Sequence, residues 1–297
     1  MNYLFLTLNV LVWSIAPVLI KWLSRYFDIH TQNFYRFLAA GISLSLMARI
    51  NYPGPWSRAL KKIGSFLWPA IFVIATQILW VSGIYLSKAS LAMLMGKLDL
   101  IFIILFSYLI FHDERTVVKS NRFKLGVILA LIGVTGVTLG QGRVSMEIGW
   151  GMVLIFLSRI TWALYAVSVK ITTAKFPSII SSALVMSIGS AFLFPVSLRW
   201  GHLRQLVETP FWVGVLLFAS GIICIGVGQG LFHRNVQKIG TVITSSFILS
   251  TPLLTLVFAY LLLGERLTLF QILSGLLILT GCYIILPSYP KTSYPTA

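Results

Sequence analysis

MLMGKLDLIFIILFSYLIFHDER, Met93 to Arg115, decides how the rest of this chain is understood. Most of it is apolar enough to sit in lipid. Lys97 and Asp99 nevertheless lie near its start, and Asp113, Glu114 and Arg115 close it. Its second part has a partner downstream. LIFIILFSYLIFHDER (100–115) aligns with TPLLTLVFAYLLLGER (251–266) at an offset of 151. Two more pairs follow at nearly the same offset. WSIAPVLIK (13–21) aligns with WALYAVSVK (162–170), and GVILALIGV (126–134) with SGLLILTGC (274–282). Three collinear matches at offsets of 149, 151 and 148 indicate duplication of a unit about half the chain long.

Composition gives the medium. The 297 residues are 58% hydrophobic and 10% charged, where a soluble domain carries about 25% charged residues. Nine Trp and eleven Tyr suit a protein with two water–lipid interfaces. Apolar runs of about 20 residues, enough to cross the hydrocarbon core, recur at 2–22, 32–49, 64–86, 89–111, 123–141, 149–172, 178–198, 210–233, 239–263 and 267–286. The expectation is an all-α polytopic membrane protein of ten transmembrane helices. The N-terminal run lacks a basic region and an A-x-A-like site, so it is expected to be a retained helix. With five spans per unit, the second copy must insert inverted, a transporter signature. The units are 1–143 and 144–287, followed by a polar tail, 288–297.

The net charge of +16 would suggest nucleic acid in a soluble protein. Here it is better explained by basic residues at cytoplasmic helix ends. With both termini cytoplasmic, 13 Lys and Arg fall on that side and 7 on the other. Loops 50–63 and 112–122 decide this orientation, and no nucleic-acid partner is implied. Cys224 and Cys282 lie in separate apolar runs with no metal or disulfide spacing, and no cofactor is called for.

The residues at 106–115 (FSYLIFHDER) and 258–266 (FAYLLLGER), with the glycine-bearing helices after each, resemble the EamA branch of the drug/metabolite transporter superfamily. The resemblance covers nearly the whole chain. It implies a central cavity between the repeats, alternating access, a lipid bilayer around it and a small-molecule substrate. Family members mostly export amino acids and other metabolites; some move nucleotide-related or sugar-phosphate substrates. It also implies an inner-membrane protein that is not an enzyme. In the second repeat Pro252 stands where such proteins usually carry proline. The first has Leu100 and Ile101 there, preceded by Gly96, Lys97, Leu98 and Asp99. One half is therefore expected to break at proline, which removes a backbone donor, and the other at glycine and charge.

A charge at the bilayer centre costs about 2.5–3.5 kcal/mol even on the low scales. Arg36, Lys97 and Arg159 are three cations within spans, and Asp99 is the only acid there. Lys97 and Asp99 are two apart, about 200° around a helix, and do not face each other. At least one cation is left to face water, where a carboxylate or phosphate would be welcome. The competing structural readings are a snorkelling Arg36, an interhelical clamp at Arg159, and Lys97 and Asp99 paired with Arg159 and backbone carbonyls. Trp13, Trp80, Trp162 and Tyr165 lie at similar depth, with Gln77 and Gln229 as polar handles. They could hold an amphipathic acid or simply pack helices. Asp99 is the candidate charge partner or carrier of a coupling proton. Gly96, Pro17 and Pro252 are candidate hinges, and Glu114 and Glu265 candidate caps or gate-side ion pairs. Glycines in GIICIGVGQG (221–230) are read as packing positions. The four histidines are placed near span ends.

The functional expectation is a secondary transporter exporting a small metabolite with an acidic group, an amino acid or a related compound. The alternative in the same fold is efflux of cationic or amphipathic drugs. Excess buried positive charge opposes it. A channel and a membrane-embedded enzyme are the other classes; for the enzyme, no H-E-x-x-H, G-x-S-x-G or histidine cluster is present.

Overall fold

The computed structural model describes residues 2–111, 120–139 and 146–285. Glu114 and the tail 288–297 lie outside the described residues. All regular structure within them is helical. In chain order the helices are α1 (Asn2–Leu23), α2 (Ile29–Asn51), α3 (Pro53–Lys61), α4 (Leu67–Leu86), α5 (Ala89–Met95), α6 (Asp99–Phe111) and α7 (Asn121–Leu139). They continue with α8 (Met146–Thr173), α9 (Ser178–Trp200), α10 (Gln205–Glu208), α11 (Phe211–Ser220), α12 (Gly228–Ile239), α13 (Thr241–Ile248), α14 (Thr251–Leu263) and α15 (Leu269–Ile285).

Six stretches are long and apolar enough to cross a membrane: Leu4–Leu23, Ile63–Leu86, Ala89–Ile110, Gly149–Thr173, Ser178–Trp200 and Phe211–Ile239. Shorter apolar helices accompany them at Lys124–Gly133, Thr251–Leu263 and Leu269–Gly281. The protein is an integral, multi-pass membrane protein. Its outer surface is apolar, as lipid requires; Trp68, Leu261 and Phe211 are all exposed. The helix α2 falls outside the apolar set because Thr31, Gln32, Asn33 and Arg36 sit on it, and all four are buried in protein.

Three rods are not simple α-helices, and each departs for a local reason. A 3-10 turn at Gly96–Leu98 joins α5 to α6. The chain between α13 and α14 breaks at Leu249 and Ser250, just before Pro252 in the first turn of α14. The two halves thus break differently, one at glycine and charge and the other at proline, as the sequence leads one to expect. A π-helical turn, Gly221–Val227, joins α11 to α12. There an added Cβ on Gly221 would lie 2.6 Å from the Arg36 carbonyl oxygen, so α2 crosses at a distance only glycine permits. Packing is the role of this glycine.

The main helix pairs are α7 with α15, α4 with α8, and α2 with α9; α1 lies against α14, α12 and the π turn. One end of the bundle is tied by named bonds. Lys21 Nζ donates to the carbonyls of Ile84 (3.1 Å) and Tyr85 (2.8 Å), and Tyr85 Oη donates to Phe27 O (2.8 Å). At the other end Gln237 Nε2 donates to Thr173 O at 2.8 Å.

Candidate functional site

Between these helices lies a cavity of about 90 Å³. Its wall takes Trp13, Ala16, Pro17 and Ile20 from α1, Arg36 from α2, and Thr76, Gln77 and Trp80 from α4. Met93 of α5, Lys97 of the 3-10 turn and Asp99 of α6 follow, with Arg159 and Trp162 of α8. Cys224 and Ile225 of the π turn, Gln229 of α12 and Ile248 of α13 complete it. The three cations and the one acid singled out from the sequence therefore share a single wall.

Each cation is held differently. The Arg159 guanidinium lies over the Trp80 ring, 4.1 Å from its centroid. Its Nε and Nη2 donate to Ser158 Oγ at 3.0 and 2.8 Å. Arg36 is 1% exposed and does not snorkel. Its Nε donates to Ser220 Oγ at 3.1 Å, while its Nη1 is buried with no hydrogen-bond partner. Lys97 donates from Nζ to the carbonyl oxygen of Ile248 at 3.0 Å. Asp99 is 8% exposed, and the charges of Lys97 and Arg159 both act on it. Among the described residues Arg159 does not close to ion-pair distance of the Asp99 carboxylate.

An aromatic floor lies one turn further along α8 and α12. Trp13 meets Trp162 edge to face at 5.4 Å, and Phe232 packs 5.3 Å from each. Such contacts are worth about 0.5–1.5 kcal/mol beyond the area they bury. Trp13 Nε1 also donates to Cys224 O in the π turn at 3.1 Å, which fixes the indole plane.

The remaining sequence candidates divide. Gln77 and Gln229 line the cavity, and the Gln77 Oε1 atom is buried without a partner. Tyr165 does not line it. It is fully buried behind the floor, where its hydroxyl donates to Gln229 Oε1 at 2.8 Å. Gly96 is beside the wall, 3.5 Å from Arg159 Nη1 measured from its would-be Cβ. Pro17 lies in the wall, within an unbroken α1. Pro252 is buried away from the cavity. Glu265 is at the bundle end, where its carboxylate accepts from Ala89 N (2.9 Å), Ser90 N (3.1 Å) and Ser90 Oγ (2.5 Å). It caps α5 across the chain, which is the capping role expected of it.

Two features escaped the sequence reading. Cys224, noted there only as a cysteine in an apolar run without metal or disulfide spacing, is on the cavity wall against Arg36. His233 is not at a span end: α12 continues to Ile239, and the ring is fully buried between Tyr165 Oη (2.6 Å) and Ser181 Oγ (3.2 Å). The spacing of four from Gln229 to His233 is the signal that could have found it, because it puts both on one helix face. Ser158 and Ser220 carry no sequence signal; they matter only because the arginines reach them.

The pattern of the EamA-like transporter family matches residues 1–139 and again 149–286. The chain is 27% identical to an uncharacterized transporter of Archaeoglobus fulgidus over 95% of this chain and 96% of that one. It is 22% identical to an uncharacterized transporter of Haemophilus influenzae, over 93% and 94% of the two chains. An uncharacterized inner membrane transporter of Escherichia coli is 23% identical over 86% of this chain and 78% of its own. Among solved structures, one protein of 14% identity superposes with a TM-score of 0.64 over 98% of this chain and 99% of that one. It shares the fold.

Proposed function

The chain belongs to the EamA-like transporter family, and from that premise we propose that it exports a small metabolite bearing an acidic group by alternating access. The observation that carries this reading is the charge of one wall: Arg36, Lys97 and Arg159 against Asp99 alone. Arginine does not shed its proton to escape burial. The Arg36 Nη1 atom, buried and unpartnered, is a donor that an anionic oxygen would satisfy with a charge-assisted bond. Asp99 is the counter-charge in this reading. It is also where an amino acid's ammonium would sit, with the indoles of Trp13, Trp80 and Trp162 around the remainder. A cavity of about 90 Å³ suits a small metabolite, whereas drug-sized ligands occupy roughly 300–1,000 Å³.

The membrane arrangement that goes with it is ten crossings in two inverted repeats, 1–143 and 144–287, with both termini in the cytoplasm of an inner-membrane protein. Several facts support the repeats. The family pattern matches once in each half. Trp13 and Trp162, partners in the alignment, meet on the floor; Lys97 and Ile248, 151 residues apart, meet at the breaks. Both contacts fall where a twofold axis relating the halves would pass. The excess of Lys and Arg in loops 50–63 and 112–122 supports the orientation.

The test is thermal stability of the purified protein against amino acids, organic and phosphorylated acids, and cationic drugs. A ligand at 100 times its Kd adds about 2.7 kcal/mol to the folded state. Stabilisation by an acid, lost in Arg159→Gln and Lys97→Gln, supports the reading. Stabilisation by cations alone, unchanged in those variants, overturns it in favour of drug efflux.

A further inference from the structure

Behind the aromatic floor runs a chain of buried hydrogen bonds that the anion site does not use. Tyr165 Oη donates to Gln229 Oε1 at 2.8 Å, and lies 2.6 Å from His233 Nε2. On the other side of the ring, His233 Nδ1 lies 3.2 Å from Ser181 Oγ, which donates to Thr172 Oγ1 at 3.0 Å. The Thr172 hydroxyl in turn donates to Val169 O at 3.0 Å.

The directions of these bonds are set from their ends. With the Gln229 amide turned so that Oε1 meets Tyr165, that oxygen can only accept, and the Tyr165 proton points to it. The Thr172 proton is committed to the α8 backbone, so its oxygen accepts the Ser181 proton. Both hydroxyl oxygens therefore face the imidazole as acceptors. A ring that satisfies both must donate from both nitrogens, and that ring is the imidazolium. A neutral ring donates from one nitrogen only. It then loses a bond, or Ser181 turns away from Thr172, or the Gln229 amide turns over to donate from Nε2 so that Tyr165 donates to the ring. The state of His233 is thereby tied to the orientation of Gln229, a residue that lines the cavity.

A buried imidazolium also needs compensation for its charge. The titratable residues on the surrounding elements are Tyr3 and Lys21 of α1, Glu147, Arg159, Tyr165 and Lys170 of α8, Arg199 of α9 and Cys224 of the π turn; α13 brings none, and α12 itself carries Arg234 and Lys238. Among the described residues Tyr165 is the titratable side chain hydrogen-bonded to the ring; the one carboxylate residue on these helices, Glu147, stands eighteen positions before Tyr165, about 27 Å along α8. The wall in front holds an excess of cations. An anion bound in the cavity would bring negative charge to the other side of the floor.

We propose that His233 is a proton-binding site linked to the cavity through Tyr165 and Gln229, so that a proton on its ring and an anion in the cavity stabilise each other. Such a site makes the binding of a proton and of the acid cooperative. The proposal rests on the anion-binding reading above, and linkage makes the effect reciprocal.

Nitrogen NMR of isotope-labelled histidine in detergent or nanodiscs tests it, with the His233 signal assigned by its loss in His233→Gln. The probes are inorganic phosphate, succinate and L-glutamate at about pH 6, where histidine titrates. Thermal stability reports binding, and a dye in weakly buffered solution reports proton uptake. An anion that stabilises the protein is expected to raise the imidazolium signal of His233 and to draw up to about one proton per chain. Tyr165→Phe and Ser181→Ala, which keep most of the side-chain shape, should still bind the anion but with less proton uptake. An anion that binds while the ring stays neutral overturns the proposal and leaves the anion site standing. A ring protonated equally with and without bound anion overturns the linkage. Failure of all three anions to bind removes both the anion site and the proton site.

Discussion

Lys97 Nζ donates at 3.0 Å to the carbonyl oxygen of Ile248, the residue four before Pro252. In an unbroken helix that carbonyl would accept the N–H of residue 252. Proline has none. The lysine after α5 thus serves a backbone acceptor that the proline of α14 has released, helped by Thr251 Oγ1 at 2.7 Å. A cation deep in an apolar stretch has a structural employment as well as a place in the cavity wall.

Lys97→Met should therefore cost stability, about 1–2 kcal/mol for a buried acceptor that loses its stronger donor. Pro252→Ala restores an N–H to the break and should reduce that cost. A double-mutant cycle in thermal or denaturant unfolding would measure it; strict additivity of the two changes would show that Pro252 and Lys97 do not share this carbonyl.

Gly221 and Gly228 set the approach of α2 and α1 to the π turn. An added Cβ at 221 meets the Arg36 backbone, and one at 228 meets the Trp13 indole. Gly221→Ala and Gly228→Ala should each lose about 1–3 kcal/mol by overpacking. Gly230→Ala, whose nearest neighbour is Leu44 Cδ2 at 3.5 Å, should be near neutral. Equal gains at all three positions would mean that helix propensity, which favours alanine over glycine, decides there rather than close approach.

Glu265 holds the start of α5 through three hydrogen bonds to Ala89 and Ser90. Glu265→Ala should destabilise by about 1–2 kcal/mol, the range for a lost helix cap. Arg266→Ala should change little, because its backbone carbonyl, not its side chain, accepts from Lys88 Nζ at 3.0 Å. Unfolding midpoints of the two variants separate the roles.

Asp28 supplies a pH dependence at the opposite corner of the same bundle end. Burial alone would raise its carboxyl pKa, but bonds from the Thr31 hydroxyl and the N–H groups of Thr31, His202 and His30 outweigh burial. The net effect holds it below the ordinary 3.8. A carboxyl depressed in the folded state stabilises above its unfolded pKa and loses that contribution as pH falls through the folded one. Stability should thus fall below about pH 3.8, and Asp28→Asn should flatten that fall. His202→Ala should do little near neutral pH, within about 0.5 kcal/mol, because the exposed ring is 3.9 Å from the carboxylate and the stronger bond comes from its backbone. Unfolding followed from neutral to acid pH in the three proteins checks the assignment.

The helical character and the membrane setting were legible in the sequence because each rests on local pattern. Twenty apolar residues must be a helix in lipid wherever they sit, and Pro252 must free a carbonyl whatever lies opposite. The excess of buried cations over acid was legible by the same arithmetic. Only the tertiary structure decided what those charges touch. Arg36 could have snorkelled; instead it is sealed against Ser220 and Cys224 because Gly221 lets α2 press onto the π turn. Tyr165 looked like a ligand residue and proved to stand behind the floor, holding Gln229 and His233. His233 looked terminal because its span is polar past Gln229, yet protein rather than water surrounds it. Such polar burial depends on neighbours 52 to 184 residues away in sequence, and one helix's own periodicity holds no record of them.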